Sequence, residues 1–223
     1  MFNEDIWQDP ATKETLIYSE SKHVLKNESK TIAYTIDEND IVDFIAHEER
    51  DTTNTTPITK KLKNPFSNDK KTRASYLQYL ELWPGEYALE VSVGDGANIR
   101  TLPLKSVKFV GIDANKANLR KASELMKDSE QSITLCHGDA EALPFQDDVF
   151  TCVFHDGNHT PFKDMKKAIQ EMVRVTSPEG KIVIMSKNIA GDGIVDALPS
   201  NVRTIETHDV PKGKCYVVTC YKK

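Results

Sequence analysis

Strand-like and helix-like segments alternate between Ala88 and Met185, and this alternation constrains the fold more than any other feature of the sequence. Short apolar runs are followed by segments whose apolar residues recur at helical spacing. Such an order predicts a parallel sheet with helices on both faces, in which ligands bind at the carboxyl ends of the strands. The predicted strands are Ala88–Val93, Lys108–Ile112, Ser132–Cys136, Val149–Phe154 and Lys181–Met185.

Helices are predicted between these strands and before the first of them. The predicted segments run from Lys71 to Trp83, near Asn98–Leu102, from Lys116 to Lys127, and from a Thr160 cap with Pro161 in the first turn to Ser177-Pro178-Glu179-Gly180. The third has an apolar stripe of Leu119, Ala122, Leu125 and Met126, and the fourth one of Phe162, Met165, Ile169, Met172 and Val173. Val202–Glu206 and Cys215–Tyr221 are expected to pair as a terminal hairpin.

The first residues have a different character. Residues 1–46 contain short β segments bounded by polar residues and are predicted to form a small β-rich module. Residues 47–70 have little apolar periodicity and are predicted to be a linker or mobile loop, and residues 71–223 form the main domain. The predicted strands of the module are Thr15–Tyr18, His23–Leu25, Thr31–Ile36 and Ile41–Ile45.

Composition restricts the partners and the compartment. The net charge of -5 and the pI of about 5.7 disfavour nucleic acid, because phosphate binding depends on Lys and Arg. No C-x-x-C pair occurs, so the cysteines are expected to be buried free thiols rather than zinc ligands or disulfides, and no metal site is predicted. No signal peptide or membrane span is evident, so the cytoplasm is the expected location. The cysteines are Cys136, Cys152, Cys215 and Cys220.

Polar and glycine residues follow three of the predicted strands. Gly94 and Gly96 come after the first strand and predict either a ligand loop or a structural turn. Asp113 ends the second strand 23 residues after Glu90. This is close to the offset of about 20 expected for an acid that accepts both hydroxyls of a ribose. The alternative is that Asp113 caps the next helix, a role for which Asn115 competes. Asp139 follows the third strand, where its carboxylate could accept from an exocyclic amine.

Four stretches together resemble the class I S-adenosylmethionine-dependent methyltransferase family, and within it the group that includes quinone-biosynthesis methyltransferases. They are LEVSVGDGAN, VGIDANKANLRKA, GDAEALPFQDDVFTCVF and AIQEMVRVTSPEGKIVIMS. The resemblance implies an α/β, Rossmann-like sheet, mostly parallel with an antiparallel C-terminal strand. Ser92 stands where the family usually has glycine, Thr151 replaces a commonly acidic residue, and TSPEGK is a variant of the usual LKPGG.

The resemblance implies S-adenosyl-L-methionine as the cofactor and assigns roles along its length. Gly94 and Gly96 would contact the methionine part, and Glu90 would lie near the amino group. Asp113 would hold the ribose hydroxyls. The full set that the resemblance assigns to the cofactor is Glu90, Ser92, Gly94, Gly96, Asp113, Ala114, Asp139, Ala140 and Phe154, with Asp139 and Ala140 at the adenine.

Direct displacement of an activated methyl needs mainly alignment, and a base only where the acceptor must lose a proton. The candidate catalytic bases are His155, Asp156 and His159 in FHDGNHTPF. The resemblance would place Phe154 and His155 near the transferred methyl. The alternative is that these polar residues cap the following helix or face solvent.

A second resemblance covers the N-terminal module. DPATKETLIY and YTIDENDIVDFI look like the zinc-ribbon-like module that precedes some rRNA guanine methyltransferases and occurs in methyltransferase activator proteins. A C-x-x-C pair would be expected near Asp9 and Thr12. No cysteine precedes Cys136, so a cysteine-ligated zinc cannot form here.

The function predicted is methyl transfer to an acceptor that the sequence does not identify, most simply a small molecule. A nicotinamide-dependent oxidoreductase is disfavoured because Gly94-Asp95-Gly96-Ala97-Asn98-Ile99 lacks the third glycine of that fingerprint. A non-catalytic activator that binds the cofactor and an rRNA methyltransferase stay open. The latter would need a basic face, for which the dense source is Lys60, Lys61, Lys63, Lys70, Lys71 and Arg73. The sequence does not predict an oligomeric state.

Overall fold

A computed structural model describes residues 2, 5–45, 70–102, 106–127, 129, 131–157, 162–186, 193–210 and 215–223. Within these ranges the chain forms an eight-stranded sheet and a three-stranded sheet. The strands are β1 (Ile17–Ser19), β2 (Val24–Lys26), β3 (Ala33–Thr35), β4 (Ile41–Asp43), β5 (Tyr87–Val91), β6 (Lys108–Asp113), β7 (Ser132–His137), β8 (Phe150–His155), β9 (Thr176–Ser186), β10 (Val202–Val210) and β11 (Cys215–Lys222).

The larger sheet has the strand order β10-β11-β9-β8-β5-β6-β7-β4. Its strands from β9 to β4 in this order pair in parallel, whereas β11 pairs antiparallel with both β9 and β10. The predicted mostly parallel sheet with an antiparallel C-terminal end is thus confirmed. Because β6 lies on one side of β5 and β8 on the other, the strand order reverses at β5, and ligands of open α/β sheets bind at such a point.

The helices cover both faces of this sheet. They are α1 (Lys70–Leu77), continued by a 3-10 turn (Gln78–Leu80), α2 (Ala97–Thr101), α3 (Lys116–Met126), α4 (Met165–Val175) and α5 (Ile194–Ala197). The first three helices share one hydrophobic cluster with Phe109 and Val183, and α4 shares the other with Leu89 and Val153. No helix in the described ranges is long and apolar enough to cross a membrane.

The three-stranded sheet packs on the same face as α4. Trp7 has no exposed surface and its ring lies 5.5 Å from that of Phe145 and 5.9 Å from that of Phe44. Removing a fully buried aromatic costs about 3–5 kcal/mol, so this contact ties the module to the main sheet. The fourth predicted strand of the module, β4, joins the larger sheet beside β7 instead of the small one. The division of the chain at residue 46 stays a prediction.

Asp9 closes the loop in which the second resemblance would place metal-binding cysteines. Its Oδ1 accepts from the backbone N–H groups of Ala11 at 3.0 Å and Thr12 at 2.6 Å, and its Oδ2 accepts from the Tyr34 hydroxyl at 2.6 Å. A carboxylate thus links the loop to β3 in this chain. The contact satisfies two backbone N–H donors of the turn and fixes its shape.

The first predicted helix and the apolar stripe of the third were wrong at their ends. Leu80 is the last buried residue of the first helix and its 3-10 turn, and Glu81 follows it with φ 48°, so the helix stops before Trp83, which is 71% exposed. In α3 the buried positions are Leu119, Ala122 and Met126, whereas Leu125 falls at the edge of the stripe and is 45% exposed.

The limits of the fourth helix were also wrong. It begins at Met165, because the Asp164 side chain accepts from the backbone N–H of Lys167 at 3.0 Å and caps it; Thr160 and Pro161 lie outside the described residues. It ends at Val175, and the segment predicted to terminate it belongs to β9. The extra residues form an irregularity in the pairing of β8 with β9, where Glu179 has φ 63°.

The terminal hairpin forms as predicted, with β10 and β11 longer than expected and residues 211–214 outside the described ranges. All four cysteines are buried free thiols. Cys215 and Cys220 belong to opposite hydrophobic clusters, as their odd spacing along a strand requires.

Candidate active site

The chain turns sharply after β5 at the point where the strand order reverses. Ser92, Gly94 and Gly96 have φ values of 62°, 58° and 71°. A Cβ on Gly96 would lie 3.1 Å from Met126 Sδ, so the loop passes closely over α3. A ligand loop and a structural turn would both need this backbone, and the position at the switch point favours the ligand loop.

Ser92 occupies a left-handed backbone position, which glycine adopts without strain. A side chain at positive φ crowds the backbone and costs of order 1–3 kcal/mol where the surrounding structure enforces it. The loop keeps its shape with serine, because Val93 N donates to Ile112 O at 3.0 Å and Gly94 N donates to Asp113 Oδ2 at 2.8 Å. The serine is thus accommodated with strain rather than by a different loop.

Beneath the loop lies a set of polar side chains that we call the buried acid cluster: Arg73, Tyr76, Glu90, Asn98 and Asp156. All five are at most 5% exposed. Asn98 is its centre, since its Nδ2 donates to Glu90 Oε1 at 2.7 Å and to Asp156 Oδ2 at 2.8 Å. One amide therefore holds two carboxylates from neighbouring strands.

Arg73 supplies a positive charge to the cluster from α1. Its guanidinium donates to Asn98 Oδ1 at 2.5 Å and lies 3.9 Å from Asp156 Oδ2. Sequence reasoning placed Arg73 only in a basic run and gave Asn98 no role. The available signal was the spacing of Arg73 and Tyr76 at i and i+3 on α1, which puts a cation on the buried face.

Glu90 is the electrostatically strained member. Complete burial raises its pKa well above the usual range, the charge of Asp156 raises it further, and the Asn98 hydrogen bond and Arg73 only partly oppose this. Its Oε2 has no hydrogen-bond partner among the described residues. A buried carboxylate oxygen without a donor is costly, so the cluster lacks one donor or cation.

Asp113 at the end of β6 is in contrast well satisfied. Its Oδ2 accepts from Gly94 N at 2.8 Å and its Oδ1 from Asn115 N at 2.7 Å. Asn115 caps α3, as its Oδ1 accepts from Ala117 N at 3.0 Å, so the alternative in which Asp113 caps the helix was wrong. The following residue, Ala114, accepts from His137 Nε2 through its carbonyl at 3.1 Å.

Asp139 and Ala140 lie in the turn after β7. Asp139 is exposed, and its Oδ1 accepts from Glu141 N at 2.9 Å. The chain beyond is held by Arg174, whose guanidinium donates to the carbonyls of Leu143 at 3.0 Å and Phe145 at 2.7 Å. The turn is thus fixed at its far end, and the role of its first residues at an adenine stays a prediction.

The candidate bases differ in their surroundings. His155 ends β8, and its Nδ1 lies 2.9 Å from the Val91 carbonyl, with its ring 4.6 Å from that of Phe162. A nitrogen facing a carbonyl must donate, so neutral His155 carries its lone pair on Nε2. Asp156 is held in the buried acid cluster, and His159 lies outside the described residues.

Phe154 is fully buried in the core, which favours a packing role, and its place beside a cofactor stays a prediction.

A family model described as a methyltransferase domain matches residues 89–184, which contain the glycine loop, Asp113, Asp139 and His155. A demethylmenaquinone methyltransferase from Renibacterium salmoninarum is 33% identical over 101 residues, or 45% of this chain and 41% of that protein. The chain spans about half the length of most of the curated relatives that it matches.

Solved structures show the same fold. A SAM-dependent methyltransferase from Aquifex aeolicus has a TM-score of 0.54 at 18% identity, covering 68% of this chain and 89% of that one. The cyclase SpnF has a TM-score of 0.60 at 15% identity, covering 69% and 80%. Since one fold hosts different chemistries, these likenesses show architecture alone. Residues 89–184, which carry the glycine loop at the switch point, are thus similar in sequence to a methyltransferase domain, and the chain has the fold of the solved methyltransferase.

Proposed function

We propose that the protein transfers a methyl group from S-adenosylmethionine to a small-molecule acceptor. The observation that carries the proposal is Glu90, a completely buried acid under the glycine loop with one oxygen lacking a donor among the described residues. An α-ammonium group would supply both the missing donor and a positive charge. A site of this kind is expected where an amino acid moiety binds.

The residues present fit the methionine end of the cofactor. Arg73 is the buried cation of the cluster and can pair with a carboxylate. Gly94 and Gly96 have positive φ values, which let the loop turn tightly beside the cluster. Glu90 and Arg73 thus offer opposite charges for the two charged groups of an α-amino acid.

The adenosine end is formed by the next two strands. Asp113 already accepts two backbone N–H groups, and a carboxylate has further lone-pair sites for the hydroxyls of a ribose. Asp139 and the backbone of Ala114 and Ala140 are the groups that we assign to the adenine.

S-adenosylmethionine, when bound, supplies an activated methyl group on a sulfonium. The chain has to align the acceptor with that methyl and, for a hydroxyl or acidic carbon acceptor, remove a proton. We assign proton removal to His155, because the hydrogen bond of its Nδ1 to Val91 O fixes the ring and leaves the lone pair on Nε2. We do not assign proton removal to Asp156, because its carboxylate accepts a hydrogen bond from Asn98 within the buried acid cluster.

A small-molecule acceptor is favoured by the acidic net charge of -5 and by relatives named demethylmenaquinone methyltransferases. The four buried free thiols agree with action in the cytoplasm, where cysteines stay reduced. Methylation of rRNA and cofactor binding without catalysis are the alternatives that an assay has to separate from this proposal.

Transfer of label from methyl-labelled S-adenosylmethionine tests the proposal directly. The acceptors are a panel of quinols and other aromatic small molecules, beginning with demethylmenaquinol analogues, together with total RNA. We expect label in a small molecule, and we expect His155→Gln to slow transfer by about 10²–10⁴-fold while cofactor binding is kept, if the acceptor must lose a proton. The matched control is His208→Gln, which changes a half-buried histidine on β10 at the far edge of the sheet.

Label in RNA alone would replace the proposal with an rRNA methyltransferase. Cofactor binding with no transfer to any acceptor would favour the non-catalytic alternative. Equal rates for His155→Gln and the native protein would remove His155 from the mechanism while leaving methyl transfer in place.

A further inference from the structure

The N-terminal segment contributes a strand to the edge of the sheet next to the proposed adenosine site. In β4, Asp43 is the register partner of His137 at the end of β7, and Phe44 N donates to His137 O at 2.8 Å. The next residues after His137 are the turn that contains Asp139. A segment distant in sequence thus lies against the strand that leads into this turn.

Asp43 and His137 are joined by side chains as well as by backbone. His137 Nδ1 lies 2.8 Å from Asp43 Oδ1, and Lys116 Nζ donates to Asp43 Oδ2 at 2.9 Å. Asp43 is 5% exposed and His137 is 7% exposed. The second ring nitrogen of His137, Nε2, lies 3.1 Å from the carbonyl of Ala114, directly after Asp113.

This geometry defines the protonation state that both contacts require. Each ring nitrogen of His137 faces an oxygen that can only accept, a carboxylate on one side and a carbonyl on the other. Both nitrogens must therefore carry hydrogen, so the two contacts coexist only in the imidazolium form. When the ring loses a proton, the contact with the charged Asp43 is the stronger one and is kept, and the contact with Ala114 opens.

The charged groups around the ring come from three elements and the loop before β4. Asp43 faces it from β4, Asp113 is its register partner on β6, and Lys116 on α3 contacts both Asp43 and, at 3.5 Å, Asp37 in the loop. Burial raises the pKa of Asp43, but hydrogen bonds from His137 and Lys116 and their positive charges outweigh it, so this pKa lies well below the usual range. Asp43 therefore stays ionised beside the ring of His137.

We infer that Asp43 and protonated His137 are positioning residues for the cofactor, holding the Ala114 carbonyl and hence the turn that presents Asp113 to the ribose. The inference rests on the proposed function. It makes the N-terminal strand part of the cofactor site, and it makes cofactor affinity fall when the ring of His137 loses its proton. The direction follows because the form that aligns Ala114 carries the extra proton.

Calorimetric titration with S-adenosylhomocysteine between about pH 6 and about pH 9, which brackets histidine titration, tests this in the full chain. We expect native affinity to drop about tenfold across the range, as for the loss of one charge-assisted hydrogen bond. Asp43→Asn should bind about tenfold more weakly at the low end and lose most of the pH dependence. His137→Gln keeps an amide donor for Ala114 and should bind with no pH dependence.

Asp40→Asn is the matched control, since it removes one negative charge from an exposed side chain close to β4. Its pH profile should equal that of the native protein. Equal profiles for native, Asp43→Asn and His137→Gln proteins would overturn the inference, with the proposed function intact.

A second measurement separates the two claims. In ¹⁵N-labelled protein without cofactor, the amide shifts of Ala114 and Asn115 should follow the titration of the His137 ring nitrogens, and Asp43→Asn should abolish that coupling. If the native protein fails to bind S-adenosylhomocysteine but the coupling is present, the proposed function fails and the positioning contact is supported. Amide shifts independent of the ring would overturn the contact itself.

Discussion

The two ends of the proposed cofactor site are built in opposite ways. At the methionine end the buried acid cluster places Glu90 and Asp156 around one amide and one guanidinium, and Glu90 keeps an oxygen without a donor among the described residues. At the adenosine end, both oxygens of Asp113 accept backbone N–H groups, and the two oxygens of Asp43 contact Lys116 and His137. At the methionine end, the ligand would thus supply a missing charge. At the adenosine end, the polar side chains already have their partners in the free protein.

Because of this difference, the affinity for the cofactor and the stability of the free protein need not change together. A group that is satisfied in the free protein stabilises the fold and binds at little reorganisation cost. A buried charge that is only partly paired destabilises the free protein. That free energy is regained on binding, when the ligand supplies the missing partner. Neutralising the partly paired acid of the methionine end should therefore raise stability, whereas neutralising the satisfied acid of the adenosine end should lower it, even where both changes weaken cofactor binding.

Removing Arg73 should have the largest effect. Arg73→Met leaves Glu90 and Asp156 buried together without the guanidinium, and breaking a buried ionic group of this kind costs about 3–5 kcal/mol. The free energy of unfolding from urea denaturation measures it. Arg100→Met is the control: Arg100 is partly exposed and lies 3.6 Å from Asp95, so its loss should cost less than about 1 kcal/mol. Equal losses for both variants would contradict a buried ionic cluster.

Asp113→Asn should lower stability by about 2 kcal/mol and weaken binding of S-adenosylhomocysteine. Asparagine offers one neutral acceptor oxygen in place of two charged ones, so the N–H of either Gly94 or Asn115 loses its acceptor. Denaturation and calorimetry on the same preparation give both values. A variant as stable as the native protein would show that the adenosine end is not organised in advance.

Glu90→Gln should raise stability by about 1 kcal/mol while weakening the same ligand, the reverse sign of the Asp113 variant. Glutamine keeps an acceptor for Asn98 and removes a buried charge. Since burial raises the pKa of Glu90, the folded native protein holds a proton that the unfolded chain releases. Native stability therefore falls as pH rises through that raised pKa, and the advantage of the variant should widen with pH.

The measurement is the free energy of unfolding of both proteins across the acidic to neutral range. Asn98→Asp is not a usable control, because it adds a charge, so the exposed Glu179→Gln serves instead. A Glu90→Gln protein that is less stable than native at every pH would mean that the cluster is complete without a ligand.

Ser92→Gly should have the smallest effect, a gain of about 0.5 kcal/mol. Glycine removes the strain of φ 62°, and its greater freedom in the unfolded chain offsets part of the gain. Ser92→Ala is the control, because it removes the hydroxyl but keeps the strain. Thermal unfolding of the three proteins decides between them, and equal stabilities for the glycine and alanine variants would assign the effect to the hydroxyl.

Local pattern was enough to predict the main sheet and the loop residues. Alternating apolar runs located β5 to β9 within a few residues, apart from the early start of β9, and the glycines and acids that follow the strands gave Gly94, Gly96 and Asp113. These features are encoded by neighbouring residues, since strand period, helix stripe and turn chemistry are local properties. Ser92, which has a positive φ, likewise stands at the position where a glycine was expected.

What sequence reasoning missed depends on distant contacts. Arg73 meets Asn98 across a strand and a loop, and Asp43 meets His137 from a strand that the sequence assigned to a separate module. Neither pairing has a periodic signature. Trp83 and Leu125 fit helical stripes but are exposed, because the stripe shows only spacing and not where the packed face ends.

Calorimetric titration of the native protein and of Glu90→Gln with S-adenosylhomocysteine tests most directly that the ligand completes the methionine end. We predict saturable micromolar binding by the native protein, which corresponds to about -8 kcal/mol, and at least about tenfold weaker binding by the more stable variant. No binding by a folded native sample, or equal affinity of the two proteins, would contradict the assignment of Glu90 and the cofactor site built on it.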